Sequence, residues 1–211
     1  MSIVSRFLQN FTLEHALYMV LVPLWFLTGY FLIPFIHSGN AGYNLSLDFE
    51  KKIAYVPVMA IPYVSCYIFV FLPGLIFNNQ IQFRRGAISL LTAMTIAFLF
   101  FIFYPVRLIA PAPVGDIDKI LSSIPWLHDN GWNAFPSLHV TMATLSACSL
   151  LKSSRLISVL SIATWLLICA STVLLKKHYV LDVAAGVLLG AAIHFLLVEP
   201  VLKKEGIKWR L

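Results

Sequence analysis

Charged residues are scarce in this sequence. Of its 211 residues only 11% are Asp, Glu, Lys or Arg, whereas 60% are hydrophobic and 14% are aromatic. This balance excludes a soluble globular domain, and the mean hydropathy of +0.86 is typical of membrane proteins. Several uncharged apolar runs are about 20 residues long, which is the length that a helix needs to cross a bilayer core.

Cysteine is also rare. Cys66, Cys148 and Cys169 lie inside apolar runs at unrelated spacings, which excludes a disulfide framework or a cysteine-rich zinc site. The first apolar run is too long for the core of a cleaved signal peptide, so we expect no cleavage. The net charge of +6 comes from lysines and arginines in short loops. Membrane topology explains them better than a nucleic-acid partner, so we expect the bilayer as partner and no nucleic acid.

The apolar runs predict an all-α, polytopic integral membrane protein with six transmembrane helices in one domain, residues 1–211. The stretch from Asn78 to Gly86 contains two arginines and predicts a short basic turn. The longest polar segment follows the third span, and within it Asp116 to Leu127 has the pattern of a short amphipathic surface helix. The spans are predicted at about 16–36, 53–77, 87–106, 136–151, 156–175 and 180–198.

The distribution of lysine and arginine predicts the orientation of these spans. Alternate loops form two sets, and the set that includes both termini carries the larger number of basic residues. Because basic loops stay in the cytoplasm, both termini are predicted to be cytoplasmic. The outer, periplasmic face would then receive the end of span three, the start of span four and the start of span six. The more basic set contains Arg6, Arg84, Arg85, Lys152, Arg155, Lys203, Lys204, Lys208 and Arg210.

A cluster of polar residues interrupts the apolar sequence at Lys176-Lys177-His178-Tyr179-Val180-Leu181-Asp182. Residues four apart share one face of a helix, so Asp182 is placed to accept a hydrogen bond from one imidazole nitrogen of His178. The other nitrogen would then be free to act as a nucleophile or a base. An ordinary helix-capping interaction explains the pair equally well, although a carboxylate just inside a membrane span favours a functional role.

A second candidate segment is Phe135-Pro136-Ser137-Leu138-His139. Proline favours the first turn of a helix, and the N–H groups that follow it can bind an anion with the help of the helix dipole. Ser137 and Leu138 would contribute to that anion site, and His139 would stand beside it. A plain helix start with an interfacial histidine is the alternative interpretation.

Three cations are predicted on the same face. Arg107 has the planar donor geometry that suits phosphate oxygens, and Lys176 and Lys177 add positive charge beside His178. Lipid headgroups are an equally good partner for the two lysines. Two histidines, a carboxylate, an anion-binding helix start and several cations together indicate a phosphoryl-transfer site that needs no metal or organic cofactor.

These segments resemble two motifs of a known family. Ala134-Phe135-Pro136-Ser137-Leu138-His139, followed about 40 residues later by the segment from His178 to Gly186, is similar to the second and third motifs of the type 2 phosphatidic acid phosphatase superfamily. The resemblance covers roughly residues 95–195. It implies a lipid phosphate phosphatase-like helical bundle acting on a lipid phosphate or diphosphate, with water or a hydroxyl group of a lipid or glycan as acceptor.

The resemblance also implies roles for the residues. His178 would attack phosphorus to form a phosphohistidine, Asp182 would orient it, and His139 would protonate the leaving oxygen and later activate the acceptor. The first motif departs from the family pattern, because Ala110-Pro111 stands where an Arg-Pro pair is usual, although Arg107 lies one turn earlier. The third motif has Thr172 where an arginine is usual, and Lys176 is placed more as in the headgroup transferases.

Two other functions fit the same residues. A transporter or lipid-binding membrane protein would use the cations and histidines to hold an anion without breaking a bond. Alternatively, His139, His178 and Asp182 form a ligand set that zinc does use.

Overall fold

The chain is helical throughout most of its length in a computed structural model that describes residues 11–37, 42–76, 79–108, 116, 119 and 131–205. The predicted surface helix at 116–127 lies outside the described residues, except for Asp116 and Lys119, which are both helical. Short 3-10 turns occupy Asp48–Lys52 and Pro57–Met59, and a π turn at His194–Val198 joins the last two helices. The helices are α1 (Leu13–Ile36), α2 (Ala60–Phe69), α3 (Leu72–Ile76), α4 (Gln80–Phe103), α5 (Leu138–Leu150), α6 (Arg155–Leu174), α7 (Val180–Ile193) and α8 (Glu199–Lys204).

Four segments of the described chain are long and apolar enough to cross a membrane. They are Leu13–Ile36, Gln80–Phe103, Arg155–Leu174 and Val180–Lys204, and two shorter apolar helices cover Pro57–Phe69 and Leu138–Leu150. Many large apolar side chains on the long helices are exposed, which suits contact with lipid tails. The protein is therefore an integral membrane protein, as the composition predicted.

The second predicted span, 53–77, is not one continuous helix. A 3-10 turn begins at Pro57, α2 ends at Phe69, and α3 begins at Leu72 with Pro73 in its first turn. Proline has no N–H to donate and its ring clashes with the preceding turn, so it favours helix starts and breaks, although α1 continues through Pro23 and Pro34. Apolar composition alone therefore overestimated the continuity of this segment.

The prediction of a basic turn before the third span was wrong. Helix α4 begins at Gln80, seven residues before the predicted start, because the Asn79 side chain accepts a hydrogen bond from the Ile81 N–H at 2.7 Å and caps the helix. Arg84 therefore lies inside the helix, where its Nη2 donates to Glu14 Oε2 of α1 at 2.8 Å. An arginine near a span end can keep its charged group at the membrane surface.

Helix α5 lies at the centre of the bundle. All but one of its 13 residues are buried, and it packs against α2, α4, α6 and α7. Its many serines, threonines and alanines let neighbouring helices approach, while the hydroxyls of Thr141, Thr144 and Ser149 donate to backbone carbonyls four residues earlier. This helix carries His139 in its first turn, so the packing of the bundle fixes that histidine.

Glycines bring α7 unusually close to α5. A Cβ atom added at Gly186 would lie 2.7 Å from the carbonyl oxygen of Ser137, and one added at Gly190 would lie 2.6 Å from that of Thr141. Both neighbours are backbone atoms, which cannot turn aside as a flexible side chain can. The close contact therefore holds the start of α5 against the start of α7, where the two candidate motifs lie.

Gly186→Ala is expected to destabilise the protein by about 1–3 kcal/mol, because the added methyl forces the two helices apart. The control is Gly74→Ala, whose Cβ would meet only the Phe83 ring at 3.3 Å. Alanine improves helix propensity by a similar amount at both sites, so the difference between the variants reports packing. Thermal unfolding in detergent measures this difference, and equal stability of the two variants would contradict the close contact.

Candidate active site

His178 lies in the turn between α6 and α7, two residues before the helix begins at Val180, and not in the helix as its spacing from Asp182 predicted. The residue is 5% exposed, and its Nδ1 is 3.0 Å from the carbonyl oxygen of Ala134. A carbonyl oxygen can only accept, so Nδ1 must carry the proton. In the neutral ring, Nε2 then carries the lone pair that can attack an electrophile.

Asp182 is completely buried beside this imidazole. Its Oδ2 accepts the Tyr179 N–H at 2.8 Å and lies 3.6 Å from Nδ1 of His178. The direct hydrogen bond that orients the imidazole is therefore to Ala134, while Asp182 caps α7 and places negative charge nearby. The other carboxylate oxygen, Oδ1, has no hydrogen-bond partner among the described residues.

The backbone around His178 is held by the end of α6. The carbonyl oxygen of Thr172 accepts the N–H groups of both Lys177, at 2.9 Å, and His178, at 3.1 Å. Lys176 has a φ of +55°, in the left-handed region that often ends a helix. Thr172, which stands where the family motif usually has arginine, thus contributes here through its carbonyl group.

His139 faces His178 from the first turn of α5. The centroids of the two imidazole rings are 6.3 Å apart, close enough for both side chains to contact one phosphate group. Tyr63 stacks on the His139 ring at 4.3 Å, and Tyr67 contacts it edge-on at 5.3 Å. The Nε2 atom of His139 is buried and has no hydrogen-bond partner in the described part of the chain, so it is available to a bound group.

Ser137 joins the two motifs and caps the start of α5. Its side-chain oxygen accepts the Val140 N–H at 3.4 Å, and its own N–H donates to the carbonyl oxygen of Asp182 at 3.0 Å. The Ser137 N–H is thus occupied, which leaves Leu138 and His139 with first-turn N–H groups that have no partner inside the helix. These two groups, more than Ser137 itself, are placed to meet an anion.

The three predicted cations differ in their surroundings. The Arg107 guanidinium lies over the Trp132 ring at 5.3 Å, and the backbone carbonyl oxygen of Arg107 accepts a hydrogen bond from the Tyr179 hydroxyl at 3.4 Å. Burial, with the nearby carboxylates of Asp182 and Glu50, raises the pKa of Tyr179, so this hydroxyl keeps its proton. Lys176 Nζ donates to the carbonyl oxygen of Glu50 at 2.7 Å, whereas Lys177 is an electrostatic neighbour of His139.

Sequence reasoning missed Glu50. The residue is 7% exposed, and its side chain reaches the start of α7, where Oε1 accepts the Val180 N–H at 2.8 Å. In the sequence it stands beside Asp48, Lys51 and Lys52, so its charge appeared neutralised. The Ala134 carbonyl was also missed, because no residue type marks a backbone acceptor.

The zinc hypothesis finds no support in the geometry. Within the described ranges, no three His, Cys, Asp or Glu side chains are grouped in a way that could hold a metal ion, and this includes His139, His178 and Asp182. The departure at Ala110-Pro111 lies outside the described residues.

Comparison with known proteins gives one family. The sequence model of the family described as the PAP2 superfamily matches residues 45–196 of this chain, a range that includes Glu50 and both histidine motifs. No curated protein and no solved structure matches the chain.

Proposed function

The chain belongs to the PAP2 superfamily, and on that premise we propose that it is a metal-independent lipid phosphate phosphatase or phosphotransferase that works through a phosphohistidine. The superfamily points to phosphatase-type chemistry on phosphate esters. One observation carries the finer proposal. The hydrogen bond from Nδ1 of His178 to the Ala134 carbonyl leaves Nε2 as the free nitrogen of a ring that lies beside His139. A nucleophile and a second imidazole at one phosphate are what a two-step transfer requires.

In the first step Nε2 of His178 forms a bond to phosphorus while the bond from phosphorus to the leaving oxygen breaks. His139 gives its proton to that oxygen. A bound phosphate favours the protonated imidazole, because the negative charge stabilises the imidazolium. Asp182 stabilises the positive charge that develops on His178 as the phosphohistidine forms.

In the second step His139 removes a proton from the acceptor, whose oxygen attacks phosphorus and breaks the bond to Nε2. Water as acceptor gives hydrolysis, and a lipid or glycan hydroxyl gives transfer. The N–H groups of Leu138 and His139, with Arg107 and Lys177, would hold the phosphate oxygens as charge redistributes. In this proposal Lys176 contributes positive charge, while its Nζ donates a hydrogen bond to the Glu50 carbonyl oxygen.

A lipid substrate fits this site because the surroundings are apolar. We propose six crossings, in which the α2–α3 segment and α5 supplement the four long helices, with the site at the outer face and both termini in the cytoplasm. Support for this orientation comes from the loops and termini on the cytoplasmic side, which carry nine of the fifteen lysines and arginines.

The test is release of phosphate from phosphatidic acid and from a polyprenyl diphosphate by the purified protein, with and without EDTA. Release that survives EDTA is expected, because no step requires a metal. Consumption of substrate without free phosphate would indicate transfer to a hydroxyl acceptor. Binding of these lipids without turnover would instead support the non-catalytic transporter or lipid-binding function, and loss of turnover in EDTA would contradict the metal-independent mechanism.

A further inference from the structure

Glu50 is attached to the His178 turn at two points. Its carboxylate accepts a hydrogen bond from the Val180 N–H at 2.8 Å, and its carbonyl oxygen accepts one from Lys176 Nζ at 2.7 Å. Lys176 is the second residue before His178, and Val180 is the second residue after it. A residue about 130 positions earlier in the chain thus holds both sides of the candidate nucleophile.

The segment that carries Glu50 is itself fixed to the same end of the bundle. The Val56 N–H donates to the carbonyl oxygen of Leu174 at 3.0 Å. At the other end, the Tyr43 N–H donates to the carbonyl oxygen of Pro105 at 2.8 Å, and the Tyr43 carbonyl oxygen accepts the Arg107 N–H at 2.9 Å. Glu50 lies between these attachments in the 3-10 turn Asp48–Lys52. Because its support is anchored on both sides, the carboxylate can fix the position of the turn and does not simply follow it.

The start of α7 provides the hydrogen bond that a buried carboxylate such as that of Glu50 requires. The N–H groups at a helix start are exposed donors with a partial positive charge, and they stabilise an acidic group beside them. Asp182 occupies the Tyr179 N–H and Glu50 occupies the next one, at Val180. The start of α7 is therefore held by two carboxylates, one from its own helix and one from a distant turn.

We propose that Glu50 is a positioning residue for His178, and that Lys176 acts mainly with it and not as a ligand of the substrate phosphate. The proposal rests on the proposed function, since it assigns to Glu50 the placement of the attacking nitrogen. Displacement of a reacting group by about 1 Å can cost about 10²-fold in rate. Loss of the Glu50 carboxylate would release the turn on one side and so displace Nε2.

The experiment compares three substitutions in the full-length protein. Glu50→Ala removes the acceptor, Glu50→Gln keeps an amide oxygen that can still accept the Val180 N–H, and Asp48→Ala is the control. Asp48 is in the same 3-10 turn and its side chain is 98% exposed beside Lys51, so its removal changes the charge equally without touching the site. Two readouts are used: kcat and KM for phosphatidic acid, and amide hydrogen exchange over residues 176–182.

Glu50→Ala is expected to lower kcat by about 10–100-fold with KM changed less than about threefold, and to speed exchange in this segment. Glu50→Gln should restore both quantities to near the wild-type values, and Asp48→Ala should alter neither. A merely structural role would reduce the amount of folded protein, leaving kcat per folded molecule and local exchange unchanged. That result, or an unchanged kcat despite faster exchange, would overturn the proposal.

Lys176→Met separates the two roles of the lysine. As a partner of Glu50, its loss should lower kcat and speed local exchange, whereas as a phosphate ligand its loss should raise KM without affecting exchange. The second pattern would overturn the assignment of Lys176. If the wild-type protein turned over no lipid phosphate, the proposed function would fail, while exchange in Glu50→Ala and Glu50→Gln would still show whether Glu50 fixes the turn.

Discussion

Replacement of His178 by asparagine is expected to lower the rate of phosphate release by about 10⁴-fold to 10⁶-fold, as loss of a nucleophile does in other covalent enzymes. The asparagine amide can still donate to the Ala134 carbonyl, so the turn should keep its shape. It has no ring nitrogen with a lone pair, so no covalent intermediate can form. Both steps of the reaction are therefore lost together.

Quenching in alkaline detergent after brief exposure to a ³²P-labelled lipid phosphate measures this directly. The wild-type protein should retain label that is released in acid and stable in alkali, as is expected of a phosphorus–nitrogen bond, and the asparagine variant should retain none. Normal unfolding behaviour of the variant excludes misfolding as the cause. Substantial turnover, or label that remains in the variant, would show that another residue is the nucleophile.

His139→Asn is expected to lower turnover of lipid phosphates by about 10²-fold to 10⁴-fold, the usual contribution of general acid–base catalysis. The loss should depend on the leaving group. An aryl phosphate that releases p-nitrophenolate needs little protonation, so phosphohistidine formation from it should be slowed much less than from phosphatidic acid. The measurement is the pre-steady-state burst of p-nitrophenolate.

Comparison of the two histidines makes this test specific. Loss of His178 should be equally damaging with either leaving group, because the nucleophile is missing in both cases. An equal loss in His139→Asn with both leaving groups would contradict its role as proton donor and would indicate that it only positions phosphate.

The two histidine motifs could be recognised in the sequence because each combines a helix start with a polar residue inside a strongly apolar chain. Helix α7 begins at Val180 as expected, and the structure brings His139 and His178 to one end of the bundle. The tautomer of His178 could not be predicted, since it depends on the carbonyl of Ala134, which is 44 positions away.

Glu50 illustrates the limit of sequence reasoning most clearly. Its neighbours Lys51 and Lys52 suggested local neutralisation, and only the three-dimensional fold shows that its carboxylate is buried against Val180 while Asp48 pairs with Lys51 in solvent. Two acids in one turn thus have opposite environments. Spacing along the chain carries no information about which of them faces the site.

Two segments depart from the spans that apolar composition predicted, although proline alone does not break every helix, since α1 continues through Pro23 and Pro34. Asn79 starts α4 before the apolar run begins, and the breaks at Pro57 and between α2 and α3 interrupt a run that is apolar throughout. Both errors have the same origin, because hydropathy reports the preference for lipid and not the hydrogen bonds that begin and end a helix.

The glycine contact between α5 and α7 has a consequence for how this protein can diversify. With backbone touching backbone at Gly186 and Gly190, these helices cannot slide or tilt to suit a larger headgroup. Adaptation to a new substrate must therefore arise in the connecting segments around residues 42–59 and 104–108, which border the site without forming its rigid centre. In a laboratory evolution experiment, substitutions that alter substrate preference should accumulate in those segments, while α5 and α7 tolerate few replacements where they meet.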